Sequence, residues 1–133
     1  MFLSNFTKEQ KVAYLNLSCC LIAADGKLSN AETAMIEQYQ QEMNLSIPLE
    51  KLSGDADSAL AVFQDASLSV KKQLLFELIG LAYADNDYAK EENDFLEKSC
   101  SVLGMSLTDL EICKKYISEL LNLYEKIGQF VAE

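Results

Sequence analysis

Apolar residues recur along most of this chain at the three- and four-residue spacing of a helix face. Val12, Leu15, Cys19 and Ile22 set the first stripe, and Leu17, Leu21 and Ala24 widen it, which predicts a well-buried helix. Thr7-Lys8-Glu9-Gln10 has the capping-box pattern that opens a helix, and Asp25-Gly26 suits the left-handed turn that closes one. Ser29-Asn30-Ala31-Glu32 forms a second capping box. It leads into a helix with Met35, Ile36, Tyr39 and Met43 inward and Glu37, Gln38, Gln40, Gln41 and Glu42 facing solvent.

Between Asn44 and Gly54 the pattern weakens, with Pro48 suited to the first turn of a short helix. A short helix is expected within Asp55–Ala66, with Ala56, Leu60 and Phe63 on one side. Ser69 is placed to cap the next helix, which carries Leu74, Leu75, Leu78, Ile79 and Ala82 and ends near Asp85-Asn86. Phe95, Leu96, Cys100 and Leu103 mark a further helix stopped by Gly104. Ser106-Leu107-Thr108-Asp109 then opens the last helix, with an unbroken stripe of Leu110, Cys113, Ile117, Leu120, Tyr124 and Ile127.

The two halves align at an offset of 60. Ala24-Asp25-Gly26 falls on Ala84-Asp85-Asn86, Glu32 on Glu92, Met35-Ile36 on Phe95-Leu96, and Met43-Asn44-Leu45-Ser46 on Leu103-Gly104-Met105-Ser106. The expectation is an all-α, single-domain helical bundle over 1–133. It is built from two helix–turn–helix repeats, about 7–46 and 67–106, plus connecting short helices and a C-terminal helix.

Composition narrows the function classes. The net charge is −10, which repels phosphate backbones and anionic membranes, so neither nucleic acid nor a membrane surface is an expected partner. No apolar run is long enough to span a bilayer, and Met1-Phe2-Leu3-Ser4-Asn5-Phe6 lacks the basic start of a secretory signal. A cytoplasmic location is expected. Cys19, Cys20, Cys100 and Cys113 lie in apolar helical stretches without a C-x-x-C pair, and there is no histidine, so they read as reduced thiols rather than zinc ligands. Without histidine, a Ser or Cys nucleophile lacks its usual base, and there is no glycine-rich phosphate loop. The chain is not expected to be an enzyme. Asp57-Ser58-Ala59-Leu60 approaches the Asp-Ser-Leu of acyl carrier proteins but departs at Ala59, and Ser58 reads as a residue near a helix start.

What chemistry there is lies at the turns. Each half has an Asp and, seven residues on, a Glu: Asp25 with Glu32 and Asp85 with Glu92. In the first half an Asx turn and the Ser29–Glu32 capping box account for both acids. In the second half Ala89 stands at the cap, Glu92 is retained, and Asp87, Glu91, Asp94 and Glu97 crowd around it with Lys90 the one base among them. Clustered carboxylates repel unless spread, solvated or bridged by a cation, and oxygen donors suit calcium or magnesium. Neither copy is an EF-hand, because the twelfth position is Ile36 in one and Leu96 in the other.

The stretch Ala23-Ala24-Asp25-Gly26-Lys27-Leu28-Ser29-Asn30-Ala31-Glu32, leading to Ile36, resembles the tellurite-resistance TerB family, whose relatives include the N-terminal domain of DjlA-type membrane co-chaperones. The hallmark recurs in Tyr83-Ala84-Asp85-Asn86-Asp87-Tyr88 with Glu92. The resemblance implies a pseudo-symmetric all-helical fold and a non-catalytic module of stress-response assemblies. It also implies acidic turn residues (Asp25, Glu32, Asp85 and Glu92, with Asp87 beside them) associated with a divalent cation. Asn86 and Ala89 depart from the pattern, so the two turns need not behave alike. With no DnaJ domain or membrane anchor in the sequence, the co-chaperone role is not expected to transfer. The leading expectation is a module that binds a protein partner, tuned by a divalent cation. The alternatives are a metal-free scaffold whose acids only shape turns, and an acidic inhibitor or immunity-like protein that masks a basic partner.

Overall fold

The computed structural model describes residues 1–23, 30–48, 52, 55–83 and 90–132. Among the described residues a 3-10 turn, Leu3–Asn5, precedes six α-helices: α1 Lys8–Ala23, α2 Asn30–Met43, α3 Ala56–Phe63, α4 Leu68–Ala82, α5 Lys90–Val102 and α6 Leu107–Ala132. There is no strand among the described residues, and the fold is the expected helical bundle. No described helix is long and apolar enough to cross a membrane.

Local chemistry sets the helix ends. Thr7 and Gln10 form the capping box reciprocally: Gln10 N–H donates to Thr7 Oγ1 (3.1 Å) and Thr7 N–H to Gln10 Oε1 (3.0 Å). Asp55 caps α3 by accepting from Ser58 N–H, and Ser106 caps α6 by accepting from Asp109 N–H. The cap of α4 is Ser67, which accepts from Val70 N–H. This corrects the placement at Ser69, whose hydroxyl lies inside the helix and accepts from Gln73. Ser67 stands 60 residues after Thr7, so α1 and α4 open at equivalent positions.

The far ends of α2 and α5 also match. Asn44 (φ 57°) and Gly104 (φ 72°) take the left-handed conformation. Leu45 N–H donates to the Gln40 carbonyl and Met105 N–H to the Cys100 carbonyl, the same six-residue closure at the same offset. The Ser29–Glu32 capping box and the Asp25-Gly26 and Asp85-Asn86 turns lie outside the described residues. Most of the residues that would follow Pro48 in a short helix lie outside the described residues, and α3, Ala56–Phe63, falls within the expected Asp55–Ala66.

Packing places α1 at the centre, against α2, α3, α4 and α5, while α4 and α5 both pack on α6. The buried face of α1 runs through Tyr14, Leu17 and Leu21, with Val12 and Cys19 only half-buried. All five apolar residues expected to line α4 are buried. The N-terminal segment, read from sequence only as not a signal, belongs to the core. Leu3 and Phe6 are buried, and the Phe6 ring meets Phe63 edge-on at 5.5 Å.

Candidate functional site

Three places on the molecule bear on function. The first holds the acids singled out by sequence. Glu32 and Glu92 both lie in the first turn of their helices, and both are buried, at 3% and 1% exposed. The two equivalent carboxylates point inward while Glu91 and Asp94 stay exposed. A carboxylate next to the free N–H groups of a first helical turn is favoured electrostatically, which offsets part of the cost of its burial. Asp25, Asp85 and Asp87 lie outside the described residues. Among the described residues no three side chains of the metal-ligating types come together. Glu32 and Glu92 therefore supply oxygen donors suited to a hard cation but do not by themselves make a site.

Sequence reasoning found one base, Lys90, among the second set of acids. The fold adds another from 21 residues beyond Asn93. Lys114 of α6 donates to Asn93 Oδ1 and pairs with Glu111 at 3.2 Å, while Asn93 donates to Glu97 Oε1 at 3.1 Å. The α5–α6 seam is thus a polar chain that spreads the local negative charge. Burial pushes the Cys100 and Cys113 thiols up to about 11, so they stay protonated near neutrality. All four cysteines are free; Cys19 and Cys20 are half-buried.

One acid was missed. Glu77 is 5% exposed among Leu74, Leu75 and Leu78, and its carboxylate accepts the Phe2 N–H at 2.7 Å. It also pairs with the Met1 ammonium at 3.0 Å, while Glu42 pairs with the same ammonium at 3.3 Å. Desolvation lowers the ammonium pKa, but the two carboxylates outweigh it and the net shift is upward from 8.0. The Glu77 carbonyl accepts the buried Tyr14 hydroxyl, and Tyr14 meets Tyr39 edge-on at 5.2 Å. The available signal was a lone acid inside an apolar stripe. Gln40, expected to face solvent, instead makes two bonds to the Ile47 backbone and clamps the chain after α2.

The second place is an open groove of about 740 Å³ between α1 and α3, floored by Val12, Ala13, Ala59 and Val62 and edged by Lys8 and Asp55. Asp55 is committed to Ser58 through both oxygens, which holds its carboxyl below the usual range, and Ser58 Oγ donates to it at 2.6 Å. A nucleophilic or carrier role for Ser58 has no support in this geometry. The groove lies on residues separate from the buried glutamates.

The third place is the distal half of α6. The stripe behaves as expected through Leu110, Cys113 and Ile117, which are buried. From residue 121 to 132 every residue is exposed, including Leu123, Tyr124, Ile127, Phe130 and Val131. The helix therefore continues past the bundle as an arm with an exposed apolar face. Compared with family models, curated proteins and solved structures, the chain finds no match.

Proposed function

We propose that the chain is a TerB-like, non-catalytic helical module that works by holding a protein partner, in the stress-response setting the resemblance implies. The observation that carries the reading is the α6 arm, whose apolar stripe continues past the bundle and is exposed from residue 121 to 132 among the described residues. The matching caps and closures of the two helix pairs support the internal duplication, and the lack of histidine supports a non-catalytic role.

The test is a photo-crosslinking residue placed at Phe130 or at exposed Glu111 in the cells that make the protein. Phe130 is expected to capture a discrete protein and Glu111 is not. Equal or absent capture at both positions would overturn the reading. An inhibitor masking a basic partner would instead be captured through the acidic bundle.

A second reading, a divalent cation at the acidic turns, is favoured by the burial of Glu32 and Glu92 at equivalent positions. Calorimetric titration with calcium, magnesium and zinc is expected to give heat that Glu92→Gln removes. Silence at millimolar metal, or an unchanged response in the variant, would leave the metal-free scaffold instead.

A further inference from the structure

We infer that the occupant of the α6 arm is a second copy of the same chain, paired antiparallel through the distal halves of the two α6 helices. This rests on reading the arm as an interaction face and goes on to name its partner.

The first argument is spacing. Leu110, Cys113, Ile117, Leu120, Tyr124, Ile127 and Val131 follow one another at strict alternations of three and four. That 3.5-residue period is the seam of two long helices wound together, so the fitting occupant is itself a helix. Up to Ile117 the seam is filled from within, by α4 and α5. Beyond it, the same seam lies open.

The second argument is self-complementarity. With the two-fold axis between Glu125 and Lys126, Tyr124 faces the second copy's Ile127, and Leu120 faces its Val131. On the flanks, Leu123 falls beside the second copy's Phe130 and Leu121 beside its Gly128. The seam side chains meet one another, and Leu121 crosses at the one residue without a side chain. A Cβ at Gly128 would meet nothing within 4 Å inside its own molecule. A glycine in a helix interior costs roughly 1 kcal/mol relative to alanine, a cost that close approach of a second helix would explain.

The third argument is charge. The stretch 120–132 carries one acid and one base, Glu125 and Lys126, so the whole net charge of −10 lies elsewhere. The arm is where two such acidic molecules can meet without opposing their acidic faces. An antiparallel pair also sets the two bundles at opposite ends of about 18 Å of helix, given about 1.5 Å per residue. That distance exceeds the screening length of ~8 Å at physiological salt. A parallel pair would place the bundles side by side.

The area suffices. Leu121, Leu123, Tyr124, Ile127, Phe130 and Val131 are 37 to 78% exposed. At about 150–250 Å² for a fully covered large side chain, they offer roughly 600 Å² per copy and about 1,200 Å² for the pair, above the ~1,000 Å² that marks a specific interface.

Sedimentation equilibrium of the full 133-residue chain tests the proposal. A reversible monomer–dimer equilibrium is expected below 200 µM, changing little as salt rises from 0.05 to 0.5 M because the bundles stand farther apart than the screening length. Ile127→Asp and Phe130→Asp are each expected to weaken association at least tenfold while the circular dichroism of the bundle is unchanged. A crosslinker at Leu121 is expected to mark residues 127–131 of the second copy. A monomer throughout, or adducts of Leu121 with 120–122, would overturn the proposal. A monomer in solution combined with cellular capture of a different protein at Phe130 would remove the second copy and leave the interaction reading standing. Failure of both would remove that reading too.

Discussion

By the 60-residue offset, Glu77 occupies the place that fully buried Leu17 holds in the first half. A charge has replaced a core leucine, and what it gains is the N-terminal segment, held through the Phe2 N–H and the Met1 ammonium. Taking away an acceptor from a buried donor costs about 1–3 kcal/mol. Glu77→Ala is therefore expected to lose about that much stability in urea unfolding, and Glu77→Gln, which keeps an acceptor for Phe2, much less. Equal stability of both variants with the parent protein would show that the bond does not hold the segment. At this scale the sequence was only partly informative. The Glu32 and Glu92 positions were legible because they recur, but their inward direction was not, since helical spacing near a terminus does not say which neighbour closes over it. Lys114 was invisible beside the second set of acids because only the α5–α6 packing brings it there.

Among the helices, ends were the easier feature to read. Thr7–Gln10 and Ser106 acted as their patterns suggested, because a cap is settled within four residues of chain. Ser67 was mistaken for Ser69 because both serines precede the same apolar stripe, and the choice is made by which one leaves the helix. The closures at Asn44 and Gly104 invite a comparison the fold makes possible, since both are left-handed in the same hydrogen-bonded turn. Gly104→Ala is expected to cost about 1–2 kcal/mol through the left-handed backbone alone, because a Cβ there touches nothing. Asn44→Gly is expected to be neutral or slightly stabilising. Matching thermal melts of the two variants would check the pair, and an unperturbed Gly104→Ala would show that the α5 turn tolerates a side chain there. The stripe of α6 was read correctly as a stripe, but the sequence carries no mark of where the bundle ends and the arm begins.

For the molecule as a whole, the class followed from periodicity, while the close packing of α1 on α3 and of α4 on α6 was not expected from the repeat. The central position of α1 did not follow either, because a helix surrounded on several sides differs from a two-sided one by only a few residues such as Tyr14 and Ser18. The capture of the first six residues into the core was equally hidden, since Leu3 and Phe6 are too few to show a period. That capture has a consequence for how the protein is made. Phe2 meets its hydrogen-bond partner Glu77 across 75 positions of sequence. At about 5–20 residues per second of synthesis, the two are produced several seconds apart, whereas a helix forms within about a microsecond. Of these two partners the one made first is thus locked late, and Leu3 and Phe6 stay without their core until α3 and α4 have followed.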